Sequence, residues 1–343
     1  MTVPRENAFD LLRLVGVVLV LVHHSWVLTG STTNLFGTAS GTDPGTLGVG
    51  IFFATSGYLV TGSWLADPSP WRFLARRALR LWPLLIVVVL GTAVVLGPLV
   101  TALPISTYLR DPATPGYVLN NVALWPLQWT LPGVLGGAAV NGSIWSLPWE
   151  AMAYGAVVLL GSTTLLRRPA AVYLLAAAAV AHLLVVGPGP AYVEQALACF
   201  TLGMAAQHAC RRWVPSWWVA VGGAALWAAT WGTTAASAGS VVFIGSSAFV
   251  VALRAPACVR HPTGSWDLSY GMYLTAFPIQ QLAVVGLGWR SPWLVLLVAL
   301  VGSAACAAVS WPLIERPALR HKPHRCGPRV RALHRRWAVP SWR

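Results

Sequence analysis

The sequence predicts an all-α, polytopic membrane protein of about ten transmembrane helices, with both termini cytoplasmic. Three observations carry that prediction. The 343 residues are 56% hydrophobic and only 9% charged, with a mean hydropathy of +0.65, whereas a soluble domain carries about 25% charged residues. A chain so apolar has more greasy surface than one water-soluble core can bury, so much of it faces lipid or the inside of a helix bundle. Apolar windows of about 20 residues, long enough to cross the hydrocarbon core, recur along the whole chain. Finally, the basic residues gather on alternate connections, as the positive-inside rule requires.

The windows fall near 9–28, 46–66, 81–100, 144–164, 170–187, 193–210, 216–235, 240–257, 267–288 and 293–313. The first contains Arg13 and lacks a convincing A-x-A cleavage site, so it reads as a retained span rather than a signal peptide. The stretch YVLNNVALWPLQWTLPGVL, 117–135, is apolar but holds an Asn pair and two prolines. Loop charge decides its status. With ten spans, the cytoplasmic side holds Arg5, the cluster Arg72, Arg76, Arg77 and Arg80, then Arg167, Arg168, Arg211, Arg212, Arg254 and Arg260, and the basic tail. That is 20 of the 23 Lys and Arg residues. An eleventh span would move three basic clusters outside, so 101–143 is expected to be a long outer loop able to dip into the interface.

The domain division is therefore a membrane domain over 1–317 and a basic cytoplasmic tail over 318–343. The net charge of +14 is mostly topology. Placed directly after a span, the tail suits anionic lipid headgroups, and nucleic acid is not expected as a partner. Trp26, Trp64, Trp82, Trp213, Trp289, Trp293 and Trp311 lie near span ends, as an aromatic belt requires. The five cysteines form no CxxC pair, so neither a metal site nor a disulfide framework is expected. Neither an internal repeat nor a low-complexity linker is evident in the sequence.

Ionisable residues within such spans mark function. In FDLLRLVGVVLVLVHHSWVL, Arg13 and His24 are eleven residues apart. Eleven steps of about 100° return to within about 20°, so the two share a stripe roughly 16 Å long. His23 lies about 100° off it and is expected to face neighbouring packing. Asp10, one turn before Arg13, is its i, i+3 partner.

Further segments join these residues: GVGIFFATSGYLVTG with Ser56, RFLARRALRLWP with Arg77 and Arg80, NGSIWSLPWEAMAY with Glu150, DLSYGMYLTAFP with Tyr270, and IERPALR near the end. This ordered set resembles the integral-membrane acyltransferase 3 family. The family's Arg, ten residues, His pattern is met by Arg13 and His24. Its FF.LSG segment is similar to Phe52–Gly57, with Thr55 where leucine is commoner. Its RxxR before proline is met by Arg77, Arg80 and Pro83, and WSL..E by Trp145 to Glu150. SYG.YL is met by Ser269 to Leu274, and ERP by Glu315 to Pro317. The motifs keep their order over residues 7–317.

The resemblance implies transfer of an acyl group, acetyl foremost, from cytoplasmic acyl-CoA to a hydroxyl of a sugar, surface glycan or secreted metabolite, at the plasma membrane. Acyl-CoA is then a co-substrate, with no cofactor held permanently. An alcohol becomes a good nucleophile once a base takes its proton, and neutral imidazole is suited to that. His24 is the expected base, with acylation of its ring as a variant, and Glu150 the carboxylate that orients it. Arg77 and Arg80 are expected on the CoA phosphates. Arg13 is expected on the pantetheine or phosphate end, with Ser56 and Tyr270 as donors to the thioester oxygen. A transporter in which Arg13, His24 and Glu150 relay protons is the competing function class, and a non-catalytic scaffold the third.

Overall fold

The computed structural model describes residues 8–31, 34–186, 192–211, 213–256, 259 and 266–323. Its regular elements are helices. They are α1 (Phe9–Leu28), α2 (Pro44–Ala66), α3 (Pro70–Gly91, running on through a π turn to Val100), α4 (Ile105–Arg110), α5 (Ala113–Ala123), α6 (Leu147–Ser162), α7 (Pro169–Val186), α8 (Tyr192–Ala209), α9 (Trp217–Thr230), α10 (Ala236–Arg254), α11 (Ser269–Gln281) and α12 (Pro292–Ser310). Of the basic tail, only the part up to residue 323 lies within the described residues, and Arg5, Arg212 and Arg260 lie outside them.

Among the described residues, seven helical stretches are long and apolar enough to cross a membrane. The other three expected windows form α8, α9 and α11. The α9 helix has only 14 residues. In α11, eleven of the thirteen residues are buried, Gln280 and Gln281 among them. A helix enclosed by its neighbours meets little lipid, so its sequence need not be apolar. The α8 helix likewise buries Gln195 and His208.

Small residues let these helices approach closely, as in other membrane bundles. A Cβ on Gly57 of α2 would stand 2.1 Å from the Phe200 carbonyl oxygen of α8, and one on Gly203 of α8 would stand 2.1 Å from the Ala54 oxygen. The two backbones therefore touch. That contact accounts for the glycine of the TSG segment by packing alone.

The segment 101–143 is more ordered than a surface loop. Tyr108 donates to the Ala93 carbonyl of α3 at 2.6 Å, and Thr114, at the start of α5, donates to the Tyr108 carbonyl at 2.7 Å. At the far end of α5, the Trp82 indole of α3 donates to the Val122 carbonyl at 3.0 Å. The helix thus runs back along α3, and its eleven residues reach about 16 Å. Asn121 then closes the return. Its side chain is fully buried, donating to the Gln128 carbonyl and accepting from the Gln128 amide at 2.9 and 3.1 Å. The stretch whose Asn pair and prolines argue against a span therefore forms a hairpin folded against α3, closed by Asn121. Its irregular backbone is satisfied within the protein, as a membrane interior demands.

The expected aromatic belt needs correction at two positions. Trp64 is 1% exposed and packs on Gly161 and Phe73, and Trp311 is 8% exposed. Both are bundle interior, because the adjoining helices leave no lipid face there. Trp213 and Trp293 are exposed as a belt residue would be.

Candidate active site

The arginines of α3 follow from its start. Asp67 and Ser69 turn the chain out of α2, Pro70 begins the new helix, and Arg72, Arg76 and Arg80 then recur at four-residue intervals on one face. Asp67 receives both nearer arginines, Arg72 at 2.6 and 3.0 Å and Arg76 at 2.8 Å. Arg80 is held differently. It donates to Asp267 at 2.8 Å and Glu315 at 3.3 Å, whose side chains are 8% and 2% exposed. Asp267 also lies 3.4 Å from Arg13, which is 3.8 Å from Asp10. The expected i, i+3 partner of Arg13 is therefore present, and a second carboxylate from the other end of the chain stands beside it.

These side chains surround a cavity of about 380 Å³. Arg13, Ser56, Arg77, Arg80, Glu150 and Tyr270 line it, together with Arg76, Asp267 and Lys322. Six of the seven residues singled out from the sequence thus meet around one space. Helices α1, α3 and α6, with the flanking Asp267 and Lys322, supply its charge, and Val49, Phe52, Phe53 and Leu147 make its other end apolar.

Arg77 has no carboxylate within ion-pair distance among the described residues. Its guanidinium lies over the faces of Phe73 and Tyr154, at 5.7 and 5.9 Å from the ring centres, and reaches Ser63 only at 3.5 Å. Its Nε, and Nε and Nη2 of Arg76, are buried without a hydrogen-bond partner. An unmet buried donor costs about 1–3 kcal/mol, more when charged. Arg76 and Arg77 thus bring positive charge that the protein leaves partly unanswered to the lining of one cavity.

The remaining residues are already engaged. Glu150 sits in the first turn of α6, a favourable place for a carboxylate. It accepts from Ser56 at 3.3 Å and from Tyr154. Tyr270 donates to the Leu81 carbonyl at 2.8 Å, under the Arg80 guanidinium. The hydroxyls of Ser56 and Tyr270, expected to point at a thioester, are bonded to protein in this state.

His24 is absent from the cavity lining. It packs edge-on against Phe277 with ring centres 4.9 Å apart, and its Nδ1 is buried without a partner. One turn back along α11, Tyr273 closes the apolar end of the cavity beside Phe52 and Ser146. Its ring stands 5.6 Å from that of Phe52, and its hydroxyl is 2.8 Å from the Ser146 hydroxyl. The expected pairing of Glu150 with His24 is not made, because Glu150 is spent on Ser56 and Tyr154. His23, expected to be a packing residue, lies 3.0 Å from Asp43 instead.

Sequence reasoning assigned no role to Asp267, Asp43, Arg76, Tyr154 or Glu315, although Glu315 stood in a recognised motif. The signal available was scarcity. With nine acidic residues in the whole chain, each one beside an apolar span had to be answering a cation or an imidazole.

Comparison with known proteins agrees with this architecture. Residues 6–314 match the acyltransferase 3 family, described as an acyltransferase domain. Nodulation protein 10 of Rhizobium leguminosarum bv. viciae is 28% identical, over 92% of this chain and 94% of its own length. An O-acetyl transferase of Shigella phage Sf6 is 24% identical, over 91% of this chain and 96% of its own. No solved structure matches. With the family match running through almost all of the described bundle, the chain belongs to the acyltransferase 3 family and is a membrane protein of that kind.

Proposed function

We propose that this membrane acyltransferase moves an acyl group, acetyl in the first instance, from cytoplasmic acyl-CoA to a hydroxyl of a glycan or of a small secreted metabolite. The observation that carries the reading is the set of four arginines, Arg13, Arg76, Arg77 and Arg80, that line the cavity, with Arg77 unmatched by a carboxylate among the described residues. A CoA phosphate is an anion of the right geometry for such forks. The apolar end lined by Val49, Phe52 and Leu147 then takes the pantetheine and acyl portion. The relative named as an O-acetyl transferase supports acetyl and a hydroxyl acceptor.

His24 is the base in this reading. It takes the acceptor's proton, the alkoxide oxygen attacks the thioester carbon, the C–S bond breaks and the CoA thiolate recovers the proton. For these groups to meet, the acyl end must pass the Tyr273, Phe52 and Ser146 closure. The test is to incubate the purified protein in detergent with labelled acetyl-CoA and cell-extract fractions. Label in an acceptor, with release of free CoA thiol in equal amount, is the expected result. Transport of a solute into proteoliposomes without thiol release would replace this reading by the transporter one.

The proposed setting is the plasma membrane, with both termini cytoplasmic and 101–143 outward. Exposed Ser106 and His321 serve as single-cysteine reporters in a background freed of native cysteines. Impermeant thiol reagent is expected to label the first from outside whole cells and the second only after lysis. Labelling of both from one side would overturn the topology.

A further inference from the structure

An imidazole–carboxylate pair lies outside the cavity, at the far end of α1. His23 Nδ1 is 3.0 Å from Asp43 Oδ1, and the Asp43 side chain is only 7% exposed. Asp43 caps α2, taking the Thr46 amide at 2.9 Å on one oxygen and the Thr46 hydroxyl at 2.7 Å on the other. The carboxylate is thereby fixed. Gly45 leaves room for the ring, since a Cβ there would stand 2.8 Å from two carbons of His23. The capped turn and the imidazole are built against each other.

A helix cap alone needs no histidine. The His23 ring meets His24 edge-on, with centres 5.5 Å apart, and His24 meets Phe277 on another side. Among the described residues His24 itself has no carboxylate partner, and Glu150 is bonded elsewhere. A base that becomes an imidazolium during transfer, beside a phenyl ring and in a low-dielectric bundle, needs a compensating negative charge nearby. In hydrolase triads a carboxylate bonds the base directly and serves that purpose.

We infer that Asp43, acting through the His23 ring, is the positioning carboxylate for His24. The inference rests on the reading of His24 as the base. Asp43 holds His23 in one orientation, and His23 in turn walls His24 against Phe277. The acidic charge one ring away stabilises the imidazolium formed when the acceptor hydroxyl gives up its proton. Asp43 and His23 touch neither substrate in this account; their effect falls on the transfer step.

Asp43→Asn separates this role from capping. Asn caps a helix about as well as Asp, so the start of α2 survives while the charge is lost. The expected result is a kcat lowered by about 10- to 100-fold, a fraction of what loss of a general base costs, with KM for acetyl-CoA and thermal stability in detergent near wild type. His23→Gln is expected to fall in the same range. Asp43→Glu, which restores the charge, should recover part of the rate. Wild-type kcat in both Asp43→Asn and His23→Gln, while His24→Ala is inactive, would overturn the inference and leave Asp43 a helix cap. A kcat that falls only in step with loss of folded protein would overturn it too. An active His24→Ala would instead sink the underlying assignment of the base.

Discussion

The two ends of the α1 stripe are wired in opposite ways. At the arginine end, Arg13 and Arg80 share Asp267, Arg80 also holds Glu315, and Arg72 and Arg76 share Asp67. Charge there is abundant and largely answered, while Arg77 has no carboxylate within ion-pair distance among the described residues. At the histidine end there is one carboxylate, Asp43, on His23, and among the described residues no carboxylate is paired with His24. The contrast separates fixed electrostatics from a group left free to change its protonation. A cluster of paired ions holds its shape and lines the cavity with arginines, which suits binding. An imidazole whose polar partners are few can accept and return a proton, which suits chemistry. The layer of Tyr273, Phe52 and Ser146 stands between the two.

The sharpest way to break this comparison is at the histidines. His24→Ala should insert and fold yet lose about 10²–10⁴-fold in activity, the usual worth of a general base. His23→Ala, at matched membrane expression, should retain clearly more activity. Equal activities in acetyl-transfer assays would remove the distinction between the two rings.

Next in size is Arg80. Removing it strands Asp267 and Glu315, two buried carboxylates, and breaking a buried pair costs about 3–5 kcal/mol. Arg80→Ala is therefore expected to lower thermal stability in detergent strongly, whatever it does to acyl-CoA binding. An unchanged unfolding temperature would mean that the ion network is not structural.

Arg77 should behave in the reverse sense. No carboxylate lies within ion-pair distance of it among the described residues, so Arg77→Ala breaks no ion pair and should stay folded. It is expected to raise KM for acyl-CoA several-fold to tenfold with less effect on kcat, as loss of uniform binding does. Initial rates over a range of acetyl-CoA concentrations decide this; an unchanged KM would return Arg77 to a topological role.

The smallest effect tests the packing beside both ends. Trp82→Phe removes the indole donor to the Val122 carbonyl and should cost about 1 kcal/mol, seen as a modest drop in thermal stability. Enhanced proteolysis within 101–143 would accompany it if this bond pins the hairpin.

Much of this molecule was legible before its structure. Composition and the length of the apolar windows determined that the chain is a helical membrane protein, because only helices and closed barrels satisfy every backbone group in lipid and continuous apolar runs of about 20 residues fit helices. The eleven-residue spacing put Arg13 and His24 on one face of α1, since helix geometry is local. The ordered motifs pointed to the family and to six residues that do line one cavity. Partnership was another matter. Which carboxylate answers Arg80 depends on Asp267 and Glu315, 187 and 235 residues away in the chain. That Asp43 faces His23, that Glu150 turns to Ser56 and Tyr154, and that 117–135 folds against α3 are likewise facts of packing. Local sequence sets the face a side chain occupies, but only the assembled bundle decides what stands opposite it.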